Sequence, residues 1–180
     1  MPEDVRVEAT PISAPFLFMS KVYLRNLKYS DKKYFGKWWI DKSLLKLTSG
    51  VLKQISDKEI DKYFQAILES KNDYHFMIVV DGKTIGHISL AKRRNSWHET
   101  QIVIGEKKYW GKGYGFKAIK LLMQKAKRLG FFRIYLEVRP NNLRAIKAYE
   151  KCGFIKTGIK KYPENEYLPE VSRMELRKYR

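Results

Sequence analysis

Tyr109-Trp110-Gly111-Lys112-Gly113-Tyr114-Gly115 sets glycine at three alternate positions between a β-type run, Thr100 to Ile104, and a helical pattern from about Gly115 to Leu129. Few arrangements satisfy that order. Glycine reaches backbone conformations closed to residues with a Cβ, so alternate glycines let several N–H groups converge on one anion. The helix pattern carries Ile119, Leu122, Met123 and Ala126 on one stripe, and a helix N-terminus adds partial positive charge. Lys107, Lys108 and Lys112 flank the loop. The segment predicts a phosphate cradle; the competing reading is a turn that only joins strand to helix. The dinucleotide fingerprint and the P-loop have different spacings, and neither is present.

A second motif, Asn142 to Phe154 (NLRAIKAYEKCGF), follows the apolar run Arg133 to Val138. Pro140 and Asn141 break that strand, Asn142 can cap the next helix, and Gly153 ends it. With these residues the chain resembles the GNAT superfamily of N-acetyltransferases, within it the group of ribosomal-protein and spermidine acetyltransferases. Trp110 to Gly115 matches the acetyl-CoA loop [RQ]-x-x-G-x-[GA], Asn142 to Phe154 matches N-x-x-A-x-x-x-Y-x-K-x-G-F, and Val22-Tyr23-Leu24-Arg25 resembles the opening strand. The resemblance covers roughly residues 21 to 177. One departure is Trp110, where Arg or Gln is usual; it is minor if backbone amides do most of the pyrophosphate binding. The resemblance implies a mixed α/β fold: one GNAT-type domain at residues 21–180, its mixed central β-sheet flanked by helices and splayed at the acetyl-CoA cleft.

The 180 residues suit one domain, and 44% apolar with 14% aromatic content argues against general disorder. No apolar run approaches the roughly 20 residues of a membrane span, and Met1 to Ser20 lacks signal-peptide order, so a soluble cytoplasmic protein without membrane partners is expected. Cys152 is the single cysteine, which excludes an intrachain disulfide. It reads as a small helix-end residue rather than a nucleophile. The net charge of +18 would attract coenzyme A phosphates, acidic proteins or RNA. Lys and Arg are spread through the chain without an RNA-binding signature, so nucleic acid is not expected as a partner except through a ribosomal substrate. Homodimer formation stays open.

Residues 1–20, with Pro2, Pro11 and Pro15, read as an extended arm. Val22 to Leu27 reads as a strand, Lys33 to Ile40 and Asp57 to Ser70 as helices, and His75 to Val80 with Lys83 to Leu90 as a hairpin across Asp81-Gly82. Lys92 to Ser96 reads as a polar turn before a strand from Glu99 to Ile104. A strand after Phe154, a polar loop from Tyr162 to Glu170 and a strand near Ser172 to Leu176 complete the order.

By resemblance, backbone groups of Ile102, Val103 and Ile104 bind the pantetheine arm of acetyl-CoA. The loop Trp110, Gly111, Lys112, Gly113, Tyr114 and Gly115 holds the pyrophosphate. Asn142 either anchors the cofactor or only caps its helix. Tyr149 occupies the general-acid position, where a phenol can protonate the departing thiolate; otherwise it is a packed aromatic. An alkylammonium acceptor with a pKa of roughly 10.4 needs a base, and Glu99 is the first choice, its alternative being a charge facing water. Glu137 is a weaker candidate, and His87 and His98 can also accept protons. Trp38, Trp39 and the loop from Tyr162 to Tyr167 would surround the acceptor, although both Trp residues also suit a core. Glu164, Glu166 and Glu170 form an acidic patch for a cationic amine, or a solvated loop. No metal is implied. The expected activity is acetyl transfer from acetyl-CoA to a protein N-terminus or small amine; the alternative is a non-catalytic acyl-CoA-binding or ribosome-associated protein of the same fold.

Overall fold

Strand β1 (Val22–Asn26) leads through a 3-10 turn, Tyr29–Asp31, into helices α1 (Lys32–Trp39), α2 (Lys42–Leu45) and α3 (Asp57–Glu69). The hairpin β2 (Asp73–Val80) and β3 (Lys83–Lys92) follows, then β4 (Trp97–Ile104), α4 (Tyr114–Arg128), β5 (Arg133–Val138), α5 (Leu143–Lys151), β6 (Phe154–Lys161) and β7 (Glu170–Leu176). The structure is a computed structural model that describes residues 20–48, 52 and 55–177. All seven strands form one sheet in the order β1-β2-β3-β4-β5-β7-β6. Only β4 and β5 run parallel, joined by the α4 crossover, and every other neighbouring pair is antiparallel. This is the mixed α/β architecture expected from the sequence.

Local chemistry accounts for the elements. Asp81 and Gly82 both have positive φ, 48° and 77°, as a two-residue hairpin turn of the primed type requires. Ser56 and Glu59 cap the start of α3 reciprocally, each side chain taking the other residue's backbone N–H. In α4 the stripe Ala118, Ile119, Leu122, Met123 and Ala126 is buried throughout. It packs with Ile88, Leu90, Ile134 and Leu136 of the sheet to form the larger core. Fully burying one such side chain contributes about 1.5–3 kcal/mol. Phe35, Trp38, Leu44, Phe64 and Met77 form a second core on the opposite face, beneath α1 and α3. At the strand that opens the fold, Arg25 grips the buried Asp31 through two 2.7 Å bonds.

Several boundaries differ from expectation. Strand β4 begins at Trp97 and β2 at Asp73, earlier than the apolar pattern suggests, because polar residues at those ends still pair with neighbours. Helix α2 is an addition: Asp41 Oδ1 accepts from the amides of Ser43 and Leu44 at 3.0 and 3.2 Å, enough to nucleate one turn. Of the expected N-terminal arm, residues 1–19 lie outside the described residues; Ser20 accepts a 3.2 Å hydrogen bond from Tyr114.

The feature that positions the site is the parting of β4 from β5. Their pairing covers only Trp97–Arg133, His98–Ile134 and Glu99–Tyr135. Beyond that level β5 continues on its far side with β7, from Tyr135–Glu175 to Val138–Ser172, while Thr100 to Ile104 pair only with β3. The sheet therefore opens into a V. Both strands point their C-terminal ends into it, and parallel strands that diverge in this way make ligand crevices at that end.

Candidate active site

The glycine loop follows β4 after a 3-10 turn, Lys107–Tyr109, at the open end of the V. Gly111 and Gly113 have φ of 74° and 78°, the left-handed region, with no heavy atom within 4 Å of where a Cβ would stand. The backbone there is free of side-chain cover, and Gly113 is the N-cap of α4. The amides of Tyr114, Gly115 and Phe116 begin that helix and have no acceptor one turn earlier. Lys112 is exposed and takes no partner among the described residues, whereas Lys107 is tied to Asp41 at 2.8 Å.

Trp110 has a defined task. Its Nε1–H donates to the Ile104 carbonyl oxygen at 2.6 Å, fastening the loop to the last residue of β4. The Arg144 guanidinium, from the first turn of α5, lies 4.9 Å from the centre of the Trp110 ring. The two lips of the V thus meet at Trp110. Gly105, next to Ile104, is required by contact: a Cβ there would come 2.1 Å from Trp38 Cε2. Trp38 is accordingly a core residue, with its Nε1–H donating to Glu106 at 3.1 Å. Trp39 is half-buried, edge-on to Phe35 and Tyr63.

Asn142 caps α5, its Oδ1 accepting from the Ala145 amide at 3.3 Å. That leaves the side-chain amide donor without a partner among the described residues. Tyr149, on the inner side of α5, is buried against Phe154 with its ring centre 6.1 Å away. Burial pushes its phenol well above the usual tyrosine range. No hydrogen bond to its hydroxyl is found among the described residues, so this proton is held and uncommitted. Burial likewise pushes the Cys152 thiol up to about 11, which removes it as a nucleophile near neutral pH.

Glu99 sits at the level where the strands part, and it is not free. Arg93 Nε and Nη2 approach its Oε2 at 2.9 and 2.8 Å, Gln101 donates to Oε1 at 3.2 Å, and the Tyr135 hydroxyl donates to Oε2 at 3.4 Å. Glu137 accepts a 2.5 Å bond from the Tyr162 hydroxyl and stands 3.4 Å from Lys160 Nζ. His75 Nδ1 and His87 Nε2 are 3.1 Å apart beneath Phe35. Desolvation pushes His87 down to about 3, with His75 beside it acting in the same direction. His98 lies on the other face, stacked on Phe131.

Alternation along β4 sorts these groups. Ile102 and Ile104 face the core beneath α4, Val103 faces the core beneath α1, and Glu99 and Gln101 share the Val103 side. The structure thus brings Ile102 to Ile104, the glycine loop and Asn142 together at one end of the sheet, with Tyr149 one helix away. It places Glu99 on the face opposite α4. Sequence pattern alone offers no role for Arg93 or Tyr135, and Tyr162 enters it only as the start of the loop around the acceptor. Arg93 belongs to a turn read only as polar, and its partnership with Glu99 depends on how that turn folds back.

Among the described residues there is no cluster of three or more metal-binding side chains and no helix long and apolar enough to cross a membrane. Residues 37–154 match the model of the acetyltransferase (GNAT) family. An uncharacterised protein of Methanocaldococcus jannaschii is 33% identical over 90 residues, which cover 50% of this chain and 18% of that protein. The chain thus spans under a fifth of that relative's length. Glucosamine 6-phosphate N-acetyltransferase of Arabidopsis thaliana is 29% identical over 147 residues, 76% of this chain and 91% of the relative. Among solved structures, spermidine N-acetyltransferase from Vibrio cholerae, in complex with CoA and spermine, superposes with a TM-score of 0.73 at 22% identity, covering 86% of this chain and 94% of that one. The motif-bearing centre of the sequence, the seven-stranded fold and its parted strands agree, and the chain belongs to the GNAT family of acetyltransferases.

Proposed function

We propose that this chain transfers the acetyl group of acetyl-CoA directly to a primary amine while both are bound. The observation that carries the reading is the meeting, at one end of the sheet, of the half of β4 that has left β5 with the glycine-capped N-terminus of α4. These groups fit coenzyme A. Amides of the loop and of the first turn of α4 take the pyrophosphate, Lys112 adds positive charge, and Ile102, Val103 and Ile104 offer main-chain groups to the amide-bearing pantetheine arm. Asn142 has a spare amide donor on the opposite lip. The coenzyme supplies an activated thioester; the protein aligns it with the amine, which by itself can lower the barrier substantially.

Tyr149 supplies the acid. As the amine nitrogen bonds to the acetyl carbon and the C–S bond breaks, its hydroxyl donates to the sulfur. A thiol ordinarily titrates near about 8.5, below the raised phenol, so complete proton transfer is uphill and the hydrogen bond itself does most of the stabilising. The proton shed by the amine leaves through water. Glu99, whose Oε1 meets only Gln101 among the described residues, is the carboxylate to receive it, with its bonds from Arg93 to Oε2 holding it beside the route. Relatives acting on glucosamine 6-phosphate and on spermidine support an amine acceptor. The test is thiol release from acetyl-CoA across polyamines, aminoglycosides, amino sugars and N-terminal peptides, alongside coenzyme A binding. Turnover with any amine supports the reading; failure to bind coenzyme A at all refutes it.

A further inference from the structure

The face of the sheet opposite α4, on which an acceptor would lie, carries three acids, each within reach of a cation. Glu99 is paired with Arg93 at 2.8 Å, Glu137 with Lys160 at 3.4 Å, and Glu175 with Arg173 at 2.8 Å. Of these oxygens, Glu137 Oε1 is buried without a hydrogen-bond partner among the described residues, so the cations nearby do not satisfy every acid. Two arginines of this face keep donors unspent among the described residues. Arg173 commits only Nε–H to Glu175, and its two terminal nitrogens have no acceptor among the described residues. Its guanidinium carbon lies over Tyr135, 3.7 Å from the ring centre, and 5.1 Å from the centre of the Trp97 ring. Arg133 approaches the same Trp97 ring at 4.7 Å and commits one terminal nitrogen to the Asn95 carbonyl.

A guanidinium held against aromatic rings with its fork unused is a prepared anion receptor, because less rotamer freedom is lost when it engages an oxyanion. Register sets Arg173 level with the parted strands, while Arg133 and Trp97 pair with each other at their base. Arg173 pairs with Glu137, on the part of β5 that has left β4, and Trp97 is two residues before Glu99, about 7 Å along the strand. Glu164 and Glu166, exposed on the β6–β7 loop, suit the ammonium that every such acceptor carries.

We propose that Arg173 and Arg133, beside Trp97, receive a negatively charged group of the acceptor, so that the amine acetylated here carries a phosphate or a carboxylate. The proposal rests on the acetyltransferase reading and narrows it. Polyamines are poor acceptors on this view.

The experiment compares matched acceptors at saturating acetyl-CoA: glucosamine 6-phosphate against glucosamine, the tripeptide amide Ala-Asp-Ala against Ala-Asn-Ala, and spermidine. The charged member of at least one pair should show kcat/KM at least tenfold higher, and which pair responds distinguishes phosphate from carboxylate. Arg173→Gln should erase that advantage through KM while leaving the neutral member within about twofold, and Arg173→Lys should retain part of it. Arg133→Gln, at an exposed position, gives the same sign should Arg173→Gln fold poorly. Equal or better turnover of the neutral members or of spermidine, or equal losses for both members of a pair in Arg173→Gln, overturns the proposal. If no amine is turned over, calorimetry of glucosamine 6-phosphate on protein saturated with coenzyme A decides. Binding at least tenfold tighter than glucosamine and lost in Arg173→Gln upholds the receptor, and its absence refutes it. Failure of coenzyme A to bind is a separate result that removes the acetyltransferase reading instead.

Discussion

Trp110 donates its indole N–H to the carbonyl of Ile104 at 2.6 Å, so the residue at the loop position usually held by Arg or Gln closes the glycine loop against the end of β4. Trp110→Phe keeps a ring beneath Arg144 and deletes the donor. A hydrogen bond of this kind contributes about 0.5–1.5 kcal/mol net, so the Kd for coenzyme A should rise roughly twofold to tenfold. Trp110→Gln, which restores a donor, should recover part of the loss. Titration calorimetry on the three proteins reads this directly, and equal affinities would show that the bond does not shape the loop.

Tyr149→Phe removes the uncommitted hydroxyl and little else. Loss of a positioned acid lowers turnover by about 10²–10⁴-fold, while coenzyme A affinity should stay within about twofold. Because burial holds the phenol above its ordinary range, the wild-type rate should show no falling limb from Tyr149 below about pH 10. A pH–rate profile that falls between pH 8 and pH 9, and flattens in the Phe variant, would contradict this.

Gly105→Ala should damage the fold from within the site. Its Cβ would meet three atoms of the Trp38 indole at 2.1–2.3 Å, and a ring packed among Phe35 and Leu44 has little room to retreat. Overpacking of this kind costs about 1–3 kcal/mol. Denaturant melts should report that loss together with a changed near-ultraviolet signal from the tryptophans; an unchanged midpoint would mean that Trp38 moves at no cost.

The His75–His87 pair sets an acid limit on stability. Desolvation holds the folded-state pKa of His87 down at about 3, below the ordinary imidazole value of 6.5. The unfolded chain therefore binds a proton in this window that the folded chain refuses. The stability contributed is present above pH 6.5 and is lost as pH falls from there toward about 3. Asp41, held at about 2 chiefly by its bond to Lys107, loses its contribution only below about 3.8. Melting temperature should thus decline between pH 7 and pH 5, before carboxylates matter. His87→Gln should flatten that decline; an identical pH slope in the variant would assign it elsewhere.

The sequence disclosed what is local. Asp81-Gly82 sets a hairpin because both residues tolerate positive φ, and Asn142 caps a helix because its side chain reaches an amide three residues on. The glycine loop and its helix were legible for the same reason. Pairing over distance was not. Insertion of β7 between β5 and β6 depends on contacts that no short window contains. The irregularity between Ile78 and Val79 moves His75 from opposite Ile88 to opposite Ser89 and brings it to His87, although the turn alone predicts an unshifted ladder. Glu99 was recognisable as a carboxylate near the cleft, but its engagement by Arg93 and Tyr135 comes from a folded-back turn and a neighbouring strand.

The parting of β4 from β5 leaves half a strand with a neighbour on one side only. On the proposed function, the coenzyme's arm is the other neighbour for as long as it stays, and secondary structure and ligand occupancy become a single equilibrium. At a thousand times its Kd, such a ligand adds about 4 kcal/mol to the unfolding free energy. The melting point of this protein would then act as a gauge of its own supply: a cell short of acetyl-CoA would hold a softer, more protease-sensitive population of the chain than one well fed.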